Sequence, residues 1–142
     1  MIETKFCSLC KKPFIGYGNN PAPFRGKSCC DECNHKYVIT LRDFLGKENP
    51  KYALCFKEDG SIEKLRPKNK YFTLEELQVA VGGLIELYPF LFQDKLIVCD
   101  EEGLIKEREI NINFANFTSI ELVGDILLCP KDIFEEPDEE ET

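Results

Sequence analysis

The sequence contains one histidine, His35, in 142 residues. A single imidazole excludes metal sites built on two histidines. No apolar run approaches the ~20 residues of a membrane-spanning helix. The opening Met1-Ile2-Glu3-Thr4-Lys5-Phe6-Cys7 lacks the ~7–15-residue apolar stretch of a secretory signal. The expected compartment is therefore the cytosol, with no membrane partner. Gly82-Gly83 is not followed by Gly-Lys-Ser/Thr, which excludes a phosphate-cradling P-loop. No nucleophile, base and orienting group stand together as a recognisable set. Carboxylates in pairs are too common to argue hydrolysis on their own.

Apolar material is not lacking. A hydrophobic content of 43% is enough for a core and excludes wholesale disorder. The length suits one domain, or a small module joined to a medium one. The formal charge of −8 disfavours non-specific nucleic-acid binding by the chain as a whole. That charge is uneven. Residues 1–50 carry eight basic and five acidic side chains, whereas residues 51–142 carry ten basic and twenty-one acidic. Six of the acids fall in 135–142, a stretch expected to be a disordered, solubilising tail.

The eight cysteines divide into two populations. Cys55, Cys99 and Cys129 each sit alone in an apolar run and read as small core residues. The other five lie within residues 7–33. Cys7-Ser8-Leu9-Cys10 and Cys30-Asp31-Glu32-Cys33 form two C-x-x-C pairs nineteen residues apart. Two thiolates from each of two tight turns suit the tetrahedron that zinc prefers, and the interval suits a structural site. A redox dithiol needs only one pair and a thioredoxin-like surround, which is missing. Cys7, Cys10, Cys30 and Cys33 are therefore the expected ligands of one structural Zn²⁺. Cys29 competes with Cys30 for the third position. Cys30 is preferred because it keeps the two pairs symmetric at a helix start. His35 reads as a neighbour of the site or a solvent-facing residue. Four thiolates leave no open coordination position, so the metal is expected to staple the fold and not to catalyse.

Residues 6–30 are rich in turn formers, interleaved with Phe14, Ile15, Tyr17 and Phe24, as in a zinc-bound hairpin. Asp31 and Glu32 open a helix. Tyr37, Leu41 and Phe44, together with Val38 and Leu45, are read as its one apolar face, with Gly46 as its cap. This order of knuckle, hairpin and helix resembles a treble-clef zinc module over residues 1–46. After a linker at 47–50, the Glu58-Asp59-Gly60-Ser61 turn predicts a hairpin of 52–57 with 62–66. Thr73 and Glu76 form a capping box for a helix with Leu74, Leu77 and Val81 inward, ended by Gly82-Gly83. Strands are expected near 84–90, 95–100 and 125–129. A return strand at 104–106 and a short helix or loop near 113–118 complete the pattern. The fold class is α+β: the zinc module, then over 51–134 a mostly antiparallel sheet with one principal helix.

Val81-Gly82-Gly83-Leu84-Ile85-Glu86, Val98-Cys99-Asp100-Glu101-Glu102-Gly103 and Val123-Gly124-Asp125-Ile126 follow one another in that order. Over 51–134 the chain resembles a small family of uncharacterised domains from phages and bacterial mobile elements. That family carries V-G-G-x-I-E and D-E-x-G, then G-D before an apolar strand. The resemblance implies a phage or mobile-element origin, hence host cytoplasm, and no established activity. The family also tends to carry N-x-x-A, whereas this chain has Asn113-Phe114-Ala115. Glu86, Asp100, Glu101 and Asp125 are the carboxylates such a site would use, although turns and caps account for the same residues. The functional expectation is a non-enzymatic binding protein. It would contact a host protein through the zinc module, with Tyr17 and Phe24 exposed. The alternatives are a small anionic ligand such as a nucleotide, held by Lys64, Arg66, Lys68 and Lys70, and nucleic acid on the basic N-terminal half. The zinc module would serve either as a recognition surface or as a surface for self-association into a homo-oligomer.

Overall fold

The computed structural model describes residues 4–134, so the expected disordered tail at 135–142 lies outside the described residues. The chain divides into two compact units, Met1–Lys47 and Glu48–Thr142.

In the first unit, β1 (Thr4–Phe6) and β2 (Pro13–Ile15) pair antiparallel, with Lys5 opposite Phe14. Residues 7–12 between them are held by two backbone bonds of 2.9 Å, Cys7 N–H to Lys12 O and Lys11 N–H to Cys7 O. After a loop, α1 (Asp31–Cys33), a π-helical turn (Asn34–Val38) and α2 (Ile39–Gly46) run on without a break. Along this stretch the buried residues are Cys33, Val38, Leu41 and Phe44. The last three belong to the expected face, whose other members, Tyr37 and Leu45, are half-buried. Gly46 does not cap the helix. Lys47 does, in extended conformation, its N–H reaching Phe44 O. Arg42 donates from Nε to Ala22 O at 2.6 Å and from Nη2 to Asn20 O at 2.8 Å, fastening the loop to the helix. Phe24 lies in that fastened loop and is only 3% exposed. The expectation that it would be presented to a partner is overturned; Tyr17 is 97% exposed.

The second unit is α+β. Among its described residues, five strands run in the order β4 (Ile62–Leu65), β3 (Ala53–Phe56), β7 (Ile126–Pro130), β6 (Lys95–Asp100), β5 (Ile85–Leu87). All four pairings are antiparallel. β3 and β7 are buried along their whole length. Their runs are continuously apolar because both sheet faces are covered. On one face Ala53, Cys55, Val98, Leu127 and Cys129 pack with Leu77 and Val81 of α3 (Leu74–Val81), and with Phe72 and Ile133. On the other, Phe56 meets Phe114 edge-on at 5.3 Å and stacks on Phe117 at 6.0 Å. Both partners belong to α4 (Ile112–Thr118). The short α5 (Lys131–Phe134) follows β7.

The Thr73 capping box is formed: Glu76 N–H donates to Thr73 Oγ1 at 3.1 Å and Thr73 N–H to Glu76 Oε1 at 2.8 Å. Leu74, expected inward, is 59% exposed, and Ala80 takes its place beside Leu77 and Val81. Residues 101–107 form turns in place of the expected return strand. The three isolated cysteines are buried core residues. Burial pushes their thiols up, Cys55 and Cys129 to about 12 and Cys99 to about 11, which keeps them protonated and inert.

Thr73→Ala removes one half of the capping box and is expected to lower the stability of the second unit by about 1 kcal/mol, read from denaturant melts. A fragment of residues 48–142 has a sheet covered on both faces by its own helices. It is expected to be soluble and to melt cooperatively; an aggregated or molten fragment would contradict this.

Candidate functional site

Two constellations stand out, one in each unit. In the first, Cys7 and Cys10 come from the β1–β2 knuckle. Cys30 is the residue before α1, and Cys33 is its last. Their four Sγ atoms all lie within 4.8 Å of one another. The Cys10 and Cys30 sulfurs are 3.8 Å apart. A tetrahedral ion about 2.3 Å from each sulfur would give edges of about 3.8 Å, so the donor set fits a zinc-sized ion. The backbone prepares one sulfur for charge. Leu9 N–H and Cys10 N–H donate to Cys7 Sγ at 3.3 and 3.4 Å. Burial opposes the thiolate of Cys7, but these N–H groups and that of Cys30 outweigh it and lower the pKa to about 6. Cys10 and Cys33 are pushed up, first by burial.

Cys29 stands outside the cluster. It is fully buried, its backbone is paired with Asn19, and burial pushes its thiol up to about 11. Of the two adjacent cysteines, then, Cys30 is the one brought to the other three sulfurs. His35 is exposed and is not part of the cluster.

The second constellation is centred on a residue the sequence did not single out, Arg108. Its Nη1 donates to Val81 O at 2.7 Å and lies 3.4 Å from Asp100 Oδ2. Its Nε donates to Glu58 Oε1 at 3.2 Å, and its Nη2 lies 3.5 Å from Asp125 Oδ2. The Asp100 side chain has no exposed surface and also accepts from Lys106 Nζ at 2.9 Å and Glu102 N–H at 2.9 Å. Burial works against the Asp100 carboxylate, but Lys106, Glu102 N–H and Arg108 together hold its pKa below the usual range. Lys106 Nζ also donates to Gly82 O at 3.2 Å. The last carbonyls of α3, which have no partner within the helix, thus meet two cations at the negative end of its dipole.

The glycines make room for this junction. Gly82 closes α3 in the left-handed region at φ 84°. A Cβ on Gly83 would lie 2.5 Å from Lys106 Nζ and 2.8 Å from Asp100 Oδ1. Gly124, at φ 78°, lies so close to the guanidinium that a Cβ would come within 2.7 Å of Arg108 Nε. Val81 to Gly83, Asp100 and Gly124-Asp125 therefore converge, although they are far apart in sequence. Glu86 and Glu101 do not join them. Both are exposed, and they line a small cleft of about 110 Å³ with Glu121.

Two asparagines support the same region. Asn111, fully buried, donates from Nδ2 to Phe56 O at 2.7 Å and to Gly124 O at 2.8 Å, and accepts Phe114 N–H at the start of α4. Asn113, the one singled out from the sequence, donates to Gly60 O at 2.6 Å. Arg108 and Asn111 carried no motif, and only their partners, read from the fold, reveal their roles.

The basic residues Lys64, Arg66, Lys68 and Lys70 do not converge on one point. Lys64 and Arg66 lie over the Tyr52 ring at 5.3 and 5.0 Å, and Lys70 lies over Tyr71. Arg66 and Lys68 share a cleft of about 460 Å³ with Glu75 and Glu76. A second cleft of about 540 Å³ beside Asp125 is lined by five carboxylates and Lys57, which suits no anion.

Fold and site thus define a chain of two units: a module whose four cysteines can hold one metal ion, and an α+β domain closed by a charged junction. The model of a domain of unknown function (DUF3846) matches residues 52–139, and the chain belongs to that family. Neither the curated proteins nor the solved structures contain a match to the chain.

Asp100→Ala leaves Arg108 and Lys106 without a buried counter-charge and is expected to cost about 3 kcal/mol. Gly124→Ala adds a left-handed-backbone penalty and displaces the guanidinium, for a loss of about 1 to 3 kcal/mol. Because the Asp100 pKa is lowered on folding, its contribution is complete above the unfolded value of about 4 and disappears as pH falls through the lowered one. Urea melts across acid pH should show this slope in the wild type and a shallower one in Asp100→Asn.

Proposed function

We propose that the chain is a non-enzymatic, zinc-stabilised binding protein of phage or mobile-element origin, whose second unit acts on a host protein by contact. The observation that carries this is the asymmetry of the two sheet edges. β4 presents Glu63 and Lys64, and Arg66 follows it. Such charges protect an edge from pairing. β5, at the other edge, carries a single charge, Glu86, which lines the cleft with Glu101 and Glu121, and has Leu84 before it and Leu87 at its end. Phe90, 69% exposed, and Leu91 come next. Leu104, 81% exposed, lies across the cleft that it shares with Glu86. An apolar edge of this kind suits an extended segment of a partner, added as a sixth strand, with leucines filling pockets on it.

Other features agree with a contact role. Asp100 and Asp125, the carboxylates that the motifs would offer to chemistry, are engaged by Arg108. A four-thiolate zinc centre supplies folding energy and leaves no position for substrate. The module around it, of about forty residues, is too small to rely on a core alone. Its knuckle, hairpin and helix order is that of a treble clef.

Elemental analysis of purified protein is expected to give one zinc per chain. Cys30→Ser should lose the metal and Cys29→Ser should keep it; metal-free protein with a native-like first unit would contradict the zinc reading. A host protein captured by the wild-type chain, then purified, is expected to bind at least tenfold more weakly to Leu87→Lys. Undiminished binding by that variant, or sustained turnover of a substrate, would contradict the contact reading.

A further inference from the structure

Residues 4–30 contain Lys5, Lys11, Lys12, Arg25 and Lys27 and not one Asp or Glu. The acids of the described first unit begin at Asp31. Glu32 and Asp43 are paired along the helix with Lys36 and Lys47, and Asp31 accepts from Asn19. Charge in this unit is thus divided by side: cations on the knuckle and loops, compensated charges on the helix. Even with the two net negative charges of a zinc ion held by four thiolates, the four lysines of residues 4–30 leave a positive balance of two.

The cations are gathered in space. A Cβ on Gly26 would overlap Ser8, and Ser8 N–H donates to Ser28 O at 2.9 Å, so the loop bearing Arg25 and Lys27 lies against the knuckle bearing Lys11 and Lys12. Phe14, cross-strand from Lys5, has its ring against Gly18, beside Tyr17. Beside the Phe14 ring Tyr17 is 97% exposed; Phe6 and Ile15, each 67% exposed, alternate with Lys5 and Phe14 and lie on the opposite hairpin face.

From this arrangement we infer that the knuckle side of the first unit binds single-stranded nucleic acid, the lysines meeting phosphates and Tyr17 stacking on a base. A purely acidic protein partner would use the cations but leave the aromatic faces without a counterpart. A duplex keeps its bases stacked and offers no ring to Tyr17, and this surface presents no helix to a groove. The inference is independent of the β5 edge and survives if that reading fails.

Fluorescence anisotropy of full-length, metal-replete protein tests it, with labelled oligo-dT and oligo-rU of about 15 nucleotides, the matching duplex, and polyglutamate as competitor. Single strands should bind in preference to duplex. Affinity should fall between about 50 and 200 mM salt with a log–log slope of about −2 to −3, as expected when three or four phosphates are neutralised. Tyr17→Ala, at a site too exposed to affect folding, should weaken binding about 5- to 100-fold without changing the slope. Lys11→Ala with Lys12→Ala should flatten the slope by about 1. The dT and rU arms show whether the strand is DNA or RNA. Absent binding at low salt, equal binding of duplex, or insensitivity to Tyr17→Ala would each overturn the inference. So would equal competition by polyglutamate, which would point to an acidic protein instead.

Discussion

A carboxylate with no exposed side-chain surface has to be met by cations, and in the second unit that requirement organises everything around it. Asp100 sits at the end of β6, and the groups that answer it come from the turns that follow. Arg108 then reaches beyond Asp100 to the end of α3, to the turn after β3 and to the residue before β7. One guanidinium, with donors fixed in a planar fork, ties the end of α3 to the ends of three neighbouring strands, β3, β6 and β7. The neighbouring glycines follow from this. Side chains at 83 or 124 would occupy the space that the ion cluster fills.

Burial and satisfaction together decide what this junction can be. Buried charges are tolerated when each has partners, and a network of this kind specifies one arrangement of its elements. Arg108 carries three carboxylates and a carbonyl, and Lys106 a carboxylate and a carbonyl. Such a lattice leaves little capacity for a reacting group. That is why the surface of the domain, and above all its apolar β5 edge, is the more informative place to look for function.

The first unit solves a different problem. With Val38, Leu41, Phe44 and Phe24 as its main buried apolar side chains, it has a small core, and its four sulfurs stand where a metal can join knuckle to helix. The knuckle N–H groups aimed at Cys7 do for a thiolate what helix ends do for phosphate: they place fixed partial charges where an anion is needed. A metal at the four sulfurs would hold the hairpin without its side chains, and Tyr17, Phe6 and Ile15 are on the surface.

Much was legible in the sequence because it rests on local rules. The two C-x-x-C pairs, the Asp-Gly hairpin, the Thr73–Glu76 capping box and the apolar strands each need only neighbours a few residues away, and period and spacing report those directly. The spacing also led to Cys30. Features that depend on distant partners were not legible. The strand order places β7 between β3 and β6 through pairings more than twenty-five residues apart, and no local pattern encodes them. Phe24 reads as a loop aromatic until Arg42 draws its loop onto the helix. Arg108 and Asn111 look like any surface arginine and loop asparagine. Their importance comes from burial among carbonyls and carboxylates supplied by other segments, and burial is a property of the assembled fold.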